Sequence, residues 1–417
     1  MGKNSKELVN GPIVAVRLEG KIDGDNRIMY LFGDIHLDMN EETKCDSFTS
    51  IDYTKYFIET MEKTDKNVQY DFFMEKYFDK PMFESLEQYF FLKKNRRENY
   101  ISSLINFIDK DTNISRKDGD VINSGSKIFK NLRYHFLDIR YLLQLNFFYG
   151  FGIYQKPDDE KTFVEHKVRN LSLHKFLRML WDNILDIFYG KKEEKKYMVI
   201  NYDYPKEIED MVSNEMKDID EKTMRRYLGK IVKITKKKNK KILLQSLIMK
   251  NALKNIVKSM KIIKKNLKII NDADRKKYDN YKLIKINDKY DHDYNDDFNK
   301  YKNIIEEIKN NNLILDDCFL NINSNLTDMY MLRRILEKKY IGNTIVYSGS
   351  FHTCNYILFL VKYYDFKITH TDYSKIEFDD LNNKIKKIND PYELRELLEK
   401  PELNQCFDPS KFPDLFM

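Results

Sequence analysis

Apolar runs of strand length punctuate a chain that is otherwise polar or helically patterned. Val14-Ala15-Val16-Arg17-Leu18 and Ile28-Met29-Tyr30-Leu31-Phe32 flank the turn-forming Asp23-Gly24-Asp25-Asn26, which predicts a hairpin. Ser50 stands as an N-cap before a helix that turns Ile51, Ile58 and Met61 to one face, and Tyr70 to Met74 is the next strand. Strand, helix, strand in that order predicts a parallel unit with a right-handed crossover, so the carboxyl ends of its strands lie side by side. Tyr134 to Arg140, Thr344 to Tyr347 and Phe366 to His370 read as further strands. Helix is expected from Phe83 to about Ile108, from Leu326 to Lys338, from Tyr356 to Tyr364, and after Asp390 and Pro391 as N-cap and first helical residue; 109 to 126 reads as a polar loop.

Between about Leu142 and Lys339 no run reads as a strand, and Leu171 to Tyr189, around the lone Trp181, spaces its apolar residues as a helix does. The expected fold is therefore α/β, a central parallel-dominated sheet of about five or six strands flanked by helices, with a large helical insertion. Its parts are 1–141 and 340–417 for the core and its docking tail, and 142–339 for the insertion.

Composition changes this picture in three places. The 417 residues are 42% hydrophobic and 33% charged, with few Gly and Pro, which fits a folded, helix-rich chain and excludes wholesale disorder. No apolar run approaches a membrane span or a signal segment, so a cytoplasmic location, or a virion if the chain is viral, is expected. Heavy use of Lys, Asn, Ile and Tyr matches AT-rich coding, as in a large DNA virus or a protist. Cys45, Cys318, Cys354 and Cys406 have no CxxC spacing, and reduced thiols are expected.

Charge is unevenly spread. Residues 222–277 carry a net +18 and the remainder −11, within an overall +7. Leu253, Ile256, Met260, Ile263, Leu267 and Ile270 recur at helical spacing, giving an amphipathic helix with a basic face. Such a face suits nucleic acid, an anionic membrane or an acidic partner. The favoured alternative lays its lysines against the acidic remainder, since stacking aromatics and groove-reading motifs are missing. The acidic stretch 288–297 lacks the glycine and glutamate of a calcium loop.

Candidate chemistry collects at strand ends. Two apolar runs finish in the same pattern, Gly33-Asp34-Ile35-His36 and Gly349-Ser350-Phe351-His352, where a glycine permits a sharp turn and a histidine projects at the rim. Glu75 and Arg140 end two other strands, with Asp34, Asp138 and Arg334 as neighbours, and open α/β sheets bind ligands at such carboxyl ends. Two imidazoles and a carboxylate, His36, Glu75 and His352, can hold a divalent ion such as Mn, Co or Zn with an open position. Equally, one histidine can act as general base on water while an arginine steadies the oxyanion. His370 ends a strand and can join the rim, whereas His135, His166, His174 and His292 read as structural. A His352–Cys354 nucleophile pair is disfavoured, because residues two apart diverge once a helix begins.

These segments, GDIH at 33–36, DFFME at 71–75, FLDIR at 136–140, TDMYMLRRI at 327–335 and GSFH at 349–352, resemble the superfamily of erythromycin esterases, ChaN-like haem-binding proteins, TraB and Tiki. The resemblance implies His36, Glu75 and His352 as the functional set, one of Arg140, Arg333 or Arg334 as the arginine, and hydrolysis of an ester or a peptide. Phe351-His352-Thr353-Cys354 departs from the small, glycine-rich continuation of Tiki and TraB relatives. Two readings compete: a catalytically silent structural or interaction protein that kept the fold, and, more remotely, a metallophosphoesterase. The second has the DxH of Asp34 and His36 but none of the GDxxD, GNHD or GHxH motifs that complete a two-metal site.

Overall fold

A computed structural model describes residues 7–35, 45, 49–77, 99–117, 120–139, 206–217, 219–232, 324–336, 338–401 and 404–413, with residue 261 and scattered positions between 168 and 187. The chain divides into two compact units, Met1–Ile139 with Thr327–Met417, and Arg140–Leu326.

The first unit is built on an eight-stranded sheet. Its strands, with two-residue strands numbered in chain order among them, are β2 (Val14–Ile22), β3 (Asp25–Asp34), β5 (Tyr70–Tyr77), β6 (Thr112–Lys117), β7 (Asp120–Ser126), β8 (Leu132–Asp138), β9 (Asn343–Gly349) and β10 (Lys367–Thr371). They lie in the order β10-β2-β3-β9-β5-β8-β7-β6. The central four, β3, β9, β5 and β8, are mutually parallel, and the pairings outside them are antiparallel. The sheet is thus mixed rather than parallel-dominated, and wider than expected. A hairpin pairs its strands antiparallel: Asp23 and Gly24, both at positive φ, form the tight turn between β2 and β3, β10 closes that edge by pairing antiparallel with β2, and the hairpin of β6 and β7 at the other edge occupies the stretch that reads as a loop.

Alternation along the central strands splits the core in two. Met29, Leu31, Phe73, Leu137 and Val346 face one side, and Tyr30, Phe32, Phe72, Met74, Tyr134, Phe136, Ile345 and Tyr347 the other. Helices α1 (Tyr53–Lys63) and α2 (Tyr100–Asp111) cover the second side. A helix over 324–336 (α5), α6 (Ser350–Tyr363), α7 (Phe378–Ile385) and α8 (Pro391–Leu398) cover the first. Strands buried on both faces explain the continuous apolar runs of the sequence. Gly33 lets α6 start close against β3, since a β-carbon there would stand 2.9 Å from the Ser350 backbone.

A small sheet joins the chain ends. β1 (Val9–Asn10) lies between β4 (Ile51–Asp52), parallel, and β11 (Cys406–Phe407), antiparallel. Cys45 is joined to Cys406 by a disulfide, which corrects the expectation of reduced thiols at this pair: residues 361 apart in sequence meet because β11 closes on β1.

In the second unit the described residues are largely helical, with α3 (Lys206–Glu215) and α4 (Glu221–Val232). Val168, Leu171 and Val212 pack together, and Arg225 reaches the Asn183 side-chain oxygen. Of the basic stretch, only 222–232 and Lys261 are among the described residues. The expected face from Leu253 to Ile270 otherwise lies outside them.

Candidate functional site

The carboxyl ends of β5 and β9 bring Glu75 and His352 together. β9 ends at Gly349 and α6 begins at Ser350, so His352 sits in the first turn of a helix that leaves the sheet at its rim. Glu75, on the same sheet face as Phe73, is anchored by the Gly349 N–H, which donates to Oε2 at 2.8 Å. That N–H belongs to the N-cap of α6, where orphan donors and the helix dipole favour a negative charge. Glu75 Oε1 stands 3.6 Å from His352 Nε2.

The other imidazole nitrogen is held by a residue outside the strand-end candidates, Asp328. His352 Nδ1 lies 2.6 Å from Asp328 Oδ1, and Asn355 donates to Asp328 Oδ2 at 2.8 Å. Asp328 comes from α5, buried along 326–332, so the helix delivers its one carboxylate in that stretch to the interior. Burial raises the Asp328 pKa and His352 opposes the rise. The result is a line of three side chains, Asp328, His352 and Glu75, from three elements.

The remaining candidates distribute as follows. His36 and Arg140 lie outside the described residues. Arg334 is not at this rim: it hydrogen-bonds His135 Nδ1 at 3.1 Å, and His135 Nε2 lies 2.8 Å from Asp71 Oδ1, near the amino end of β5. Six residues on from Asp328, Arg334 is roughly 9 Å further along the helix axis, which carries it away from the carboxyl end of the sheet. Asp34 turns to the opposite sheet face, accepting from Tyr347 Oη at 3.1 Å and Gln405 Nε2 at 2.7 Å. Asp138 is buried at the end of β8. His370 lies on edge strand β10 beside Phe412, two strands from β3. Cys354 is buried and its thiol pKa is pushed up by that burial, which removes it as a nucleophile.

The arrangement can do two kinds of chemistry. With Nδ1 against Asp328, Nε2 is the nitrogen presented toward Glu75 for proton transfer. A divalent ion would suit the same pair, because ligands about 2.1 Å from a tetrahedral ion stand roughly 3.4 Å apart, and a carboxylate behind the imidazole is the usual support of such a ligand. Among the described residues no group of three or more metal-type side chains converges.

Comparison of the whole sequence places the chain. Residues 7–417 match the family described as "Family of unknown function (DUF5847)". The chain belongs to this family. The chain is 30% identical over 437 aligned positions to uncharacterized protein R706 of Acanthamoeba polyphaga mimivirus, covering 99% of this chain and 97% of the relative. Uncharacterized protein R161 of the same virus is 28% identical, over 98% of each chain. Viral relatives agree with the AT-rich composition. No solved structure matches the chain, and neither the family nor these relatives carries the erythromycin esterase and Tiki assignment. Among the described residues no helix is long and apolar enough to cross a membrane.

Proposed function

We propose that the rim of β5 and β9 is a hydrolase-type acid–base site centred on His352, acting on an ester or a peptide. The observation that carries this is the line of Asp328, His352 and Glu75, with Nδ1 at 2.6 Å from one carboxylate and Nε2 at 3.6 Å from the other. Asp328 orients the ring and steadies its protonated form, as the carboxylate of a catalytic triad does. A water hydrogen-bonded to Nε2 gives its proton to that nitrogen as its oxygen bonds to the substrate carbonyl carbon. The same proton then passes from Nε2 to the leaving oxygen or nitrogen as the carbonyl–leaving-group bond breaks. Glu75, fixed by the Gly349 N–H, orients the water and balances the imidazolium. A Mn, Co or Zn ion held by His352 Nε2 and Glu75 Oε1 would supply a more acidic water at the same place. The resemblance of the GxxH, Glu, GxxH order to that of erythromycin esterases and Tiki supports this reaction class.

A second reading, a catalytically silent protein that retains the fold, is favoured by burial: His352 is 7% exposed and Asp328 4%. Activity-based profiling with ester and peptide probes, alongside metal analysis, separates the two. Wild type is expected to turn over a probe, with His352→Ala and Glu75→Gln losing about 10²-fold or more and Asp328→Asn losing kcat with KM unchanged. Variants that alter thermal stability while no probe is turned over or metal retained by wild type would establish the silent reading.

A further inference from the structure

The carboxyl-terminal segment is fastened to the sheet through features that need a covalent clasp. β11 and β1 share only two residue pairs, Val9 with Phe407 and Asn10 with Cys406, and β1 shares only two with β4. Strands this short do not hold a register by themselves. Asn10 stands at the junction, its Oδ1 accepting the Cys45 N–H at 2.7 Å, opposite Cys406 in the ladder. The adjacent Gln405 donates through Nε2 to the Gly11 carbonyl at 2.9 Å and to buried Asp34 at 2.7 Å, while the Gly11 N–H donates to the Gln405 carbonyl at 2.9 Å. Phe407 lies among Phe32, Tyr53 and Tyr56. Thus the residues after Cys406 enter the aromatic core, and the residue before it holds a carboxylate at the end of a central strand.

We propose that the Cys45–Cys406 bond is a redox clasp: the oxidised chain is the working form, and a dithiol-oxidising reaction must act on it before this segment docks fully. In thiol–disulfide exchange, the thiolate of one cysteine attacks a sulfur of an oxidised partner dithiol, forming a mixed disulfide. The thiolate of the other cysteine then displaces the partner, which leaves as the dithiol carrying the two electrons, and two protons are released from the chain's thiols and taken up by the partner's. A reducing cytosol does not supply this step unaided, so the supplying reaction is a protein thiol oxidation. A small dithiol reductant reverses it: opening the clasp loosens 404–412, and Asp34 loses the Gln405 amide. The proposal is independent of the chemistry at His352.

The test uses the full chain, purified without reductant and equilibrated in a glutathione buffer poised to oxidise. A non-reducing peptide map is expected to contain the Cys45 and Cys406 peptides joined. Reduction with tris(2-carboxyethyl)phosphine is expected to speed amide hydrogen exchange in 404–412 at least tenfold and to lower Tm by roughly 5 °C or more. Cys45→Ser and Cys406→Ser should reproduce both effects and respond no further to the reductant. If either variant fails to fold, the reductant arm on wild type decides alone. Absence of the joined peptide, unchanged exchange in 404–412 on reduction, or an equal reductant effect in the serine variants overturns the clasp.

Discussion

Acidification from about pH 8 to about pH 5 tests how the fold holds His135. The residue is 4% exposed, with Nε2 2.8 Å from Asp71 and Nδ1 3.1 Å from Arg334, and Arg133 beyond Asp71. Burial lowers its pKa most, the Asp71 hydrogen bond raises it, and Arg334 and Arg133 lower it again, giving about 4 against an ordinary 6.5. The unfolded chain therefore takes up this proton before the folded one does. Stability falls as pH drops between those two values and is unaffected by this group above the higher one. Integrating the single-site linkage down to about pH 5 gives a loss of about 2 kcal/mol. Asp71 does not share the window. Burial acts to raise its pKa, but hydrogen bonds from His135 and Arg133 outweigh it and hold it below 3.8, so its contribution is lost only in stronger acid. His370 is shifted downward by burial and by Arg17, so the measurement is a difference between proteins. Urea unfolding at both pH values should show wild type losing about 2 kcal/mol more than His135→Gln, which keeps hydrogen-bonding capacity without the titration. Losses that agree within about 0.5 kcal/mol would refute the assignment of a buried neutral imidazole.

Three further outcomes follow from single contacts. Asp71→Asn should cost about 3 kcal/mol or more in urea unfolding, because the carboxylate is fully buried and accepts from His135, Arg133 Nε and Nη2, and the Gly342 N–H; a loss below about 1 kcal/mol would sink this account. Gly33→Ala should cost about 1–3 kcal/mol, since the new methyl meets the Ser350 backbone at 2.9 Å and α6 must shift; a neutral Tm would show that the approach is looser. Asn382→Ala should cost about 1–2 kcal/mol and raise aggregation on heating, because the Asn382 amide occupies both the N–H and the carbonyl of Ile368 on edge strand β10; unchanged light scattering would count against that edge-blocking role.

What could be read from the sequence follows burial. β3, β5, β8 and β9 are legible because parallel central strands are apolar on both faces, and the glycines at 33 and 349 mark where two of them end. β6 and β7 were not legible, because Asn113, Ile114 and Ser115 are all exposed and such a ribbon needs no alternating pattern. β1, β4 and β11 are two residues long, below any period, and nothing in the spacing of Cys45 and Cys406 announces their meeting. Strand-end logic brings Glu75 and His352 to one rim, and the structure sets them 3.6 Å apart, whereas Arg334, implied by the family resemblance, contacts His135 toward the other end of the sheet. Asp328 lies outside strand-end logic but carries a signal of its own. An acid among Leu326, Met329, Met331 and Leu332 is closed in by apolar residues, and a carboxylate so placed needs a partner.

The two buried histidines on this sheet face meet different surroundings at the carboxyl and the amino end of the sheet. α5 contributes to both sites, Asp328 to one and Arg334 to the other, and β5 contributes Glu75 and Asp71 at its two ends. α5 therefore runs antiparallel to β5 and is fixed near each end through an imidazole. At the amino end, both nitrogens of His135 are at direct hydrogen-bond distance, 2.8 and 3.1 Å, from Asp71 and Arg334, and Arg133 completes the Asp71 carboxylate. Burial, with Arg334 and Arg133 adding to it, keeps that ring neutral against the pull of Asp71, which unfits it to cycle a proton near neutral pH. At the carboxyl end, His352 stands between two carboxylates among the described residues, Asp328 at 2.6 Å and Glu75 at 3.6 Å. Such a pair stabilises the imidazolium instead of opposing it, and the longer of the two distances allows one oxygen atom to contact Nε2 and Glu75 together. Two similar imidazoles thus meet different electrostatics from the same helix and the same strand, and that difference is the ground for proposing His352, and not His135, as the proton carrier.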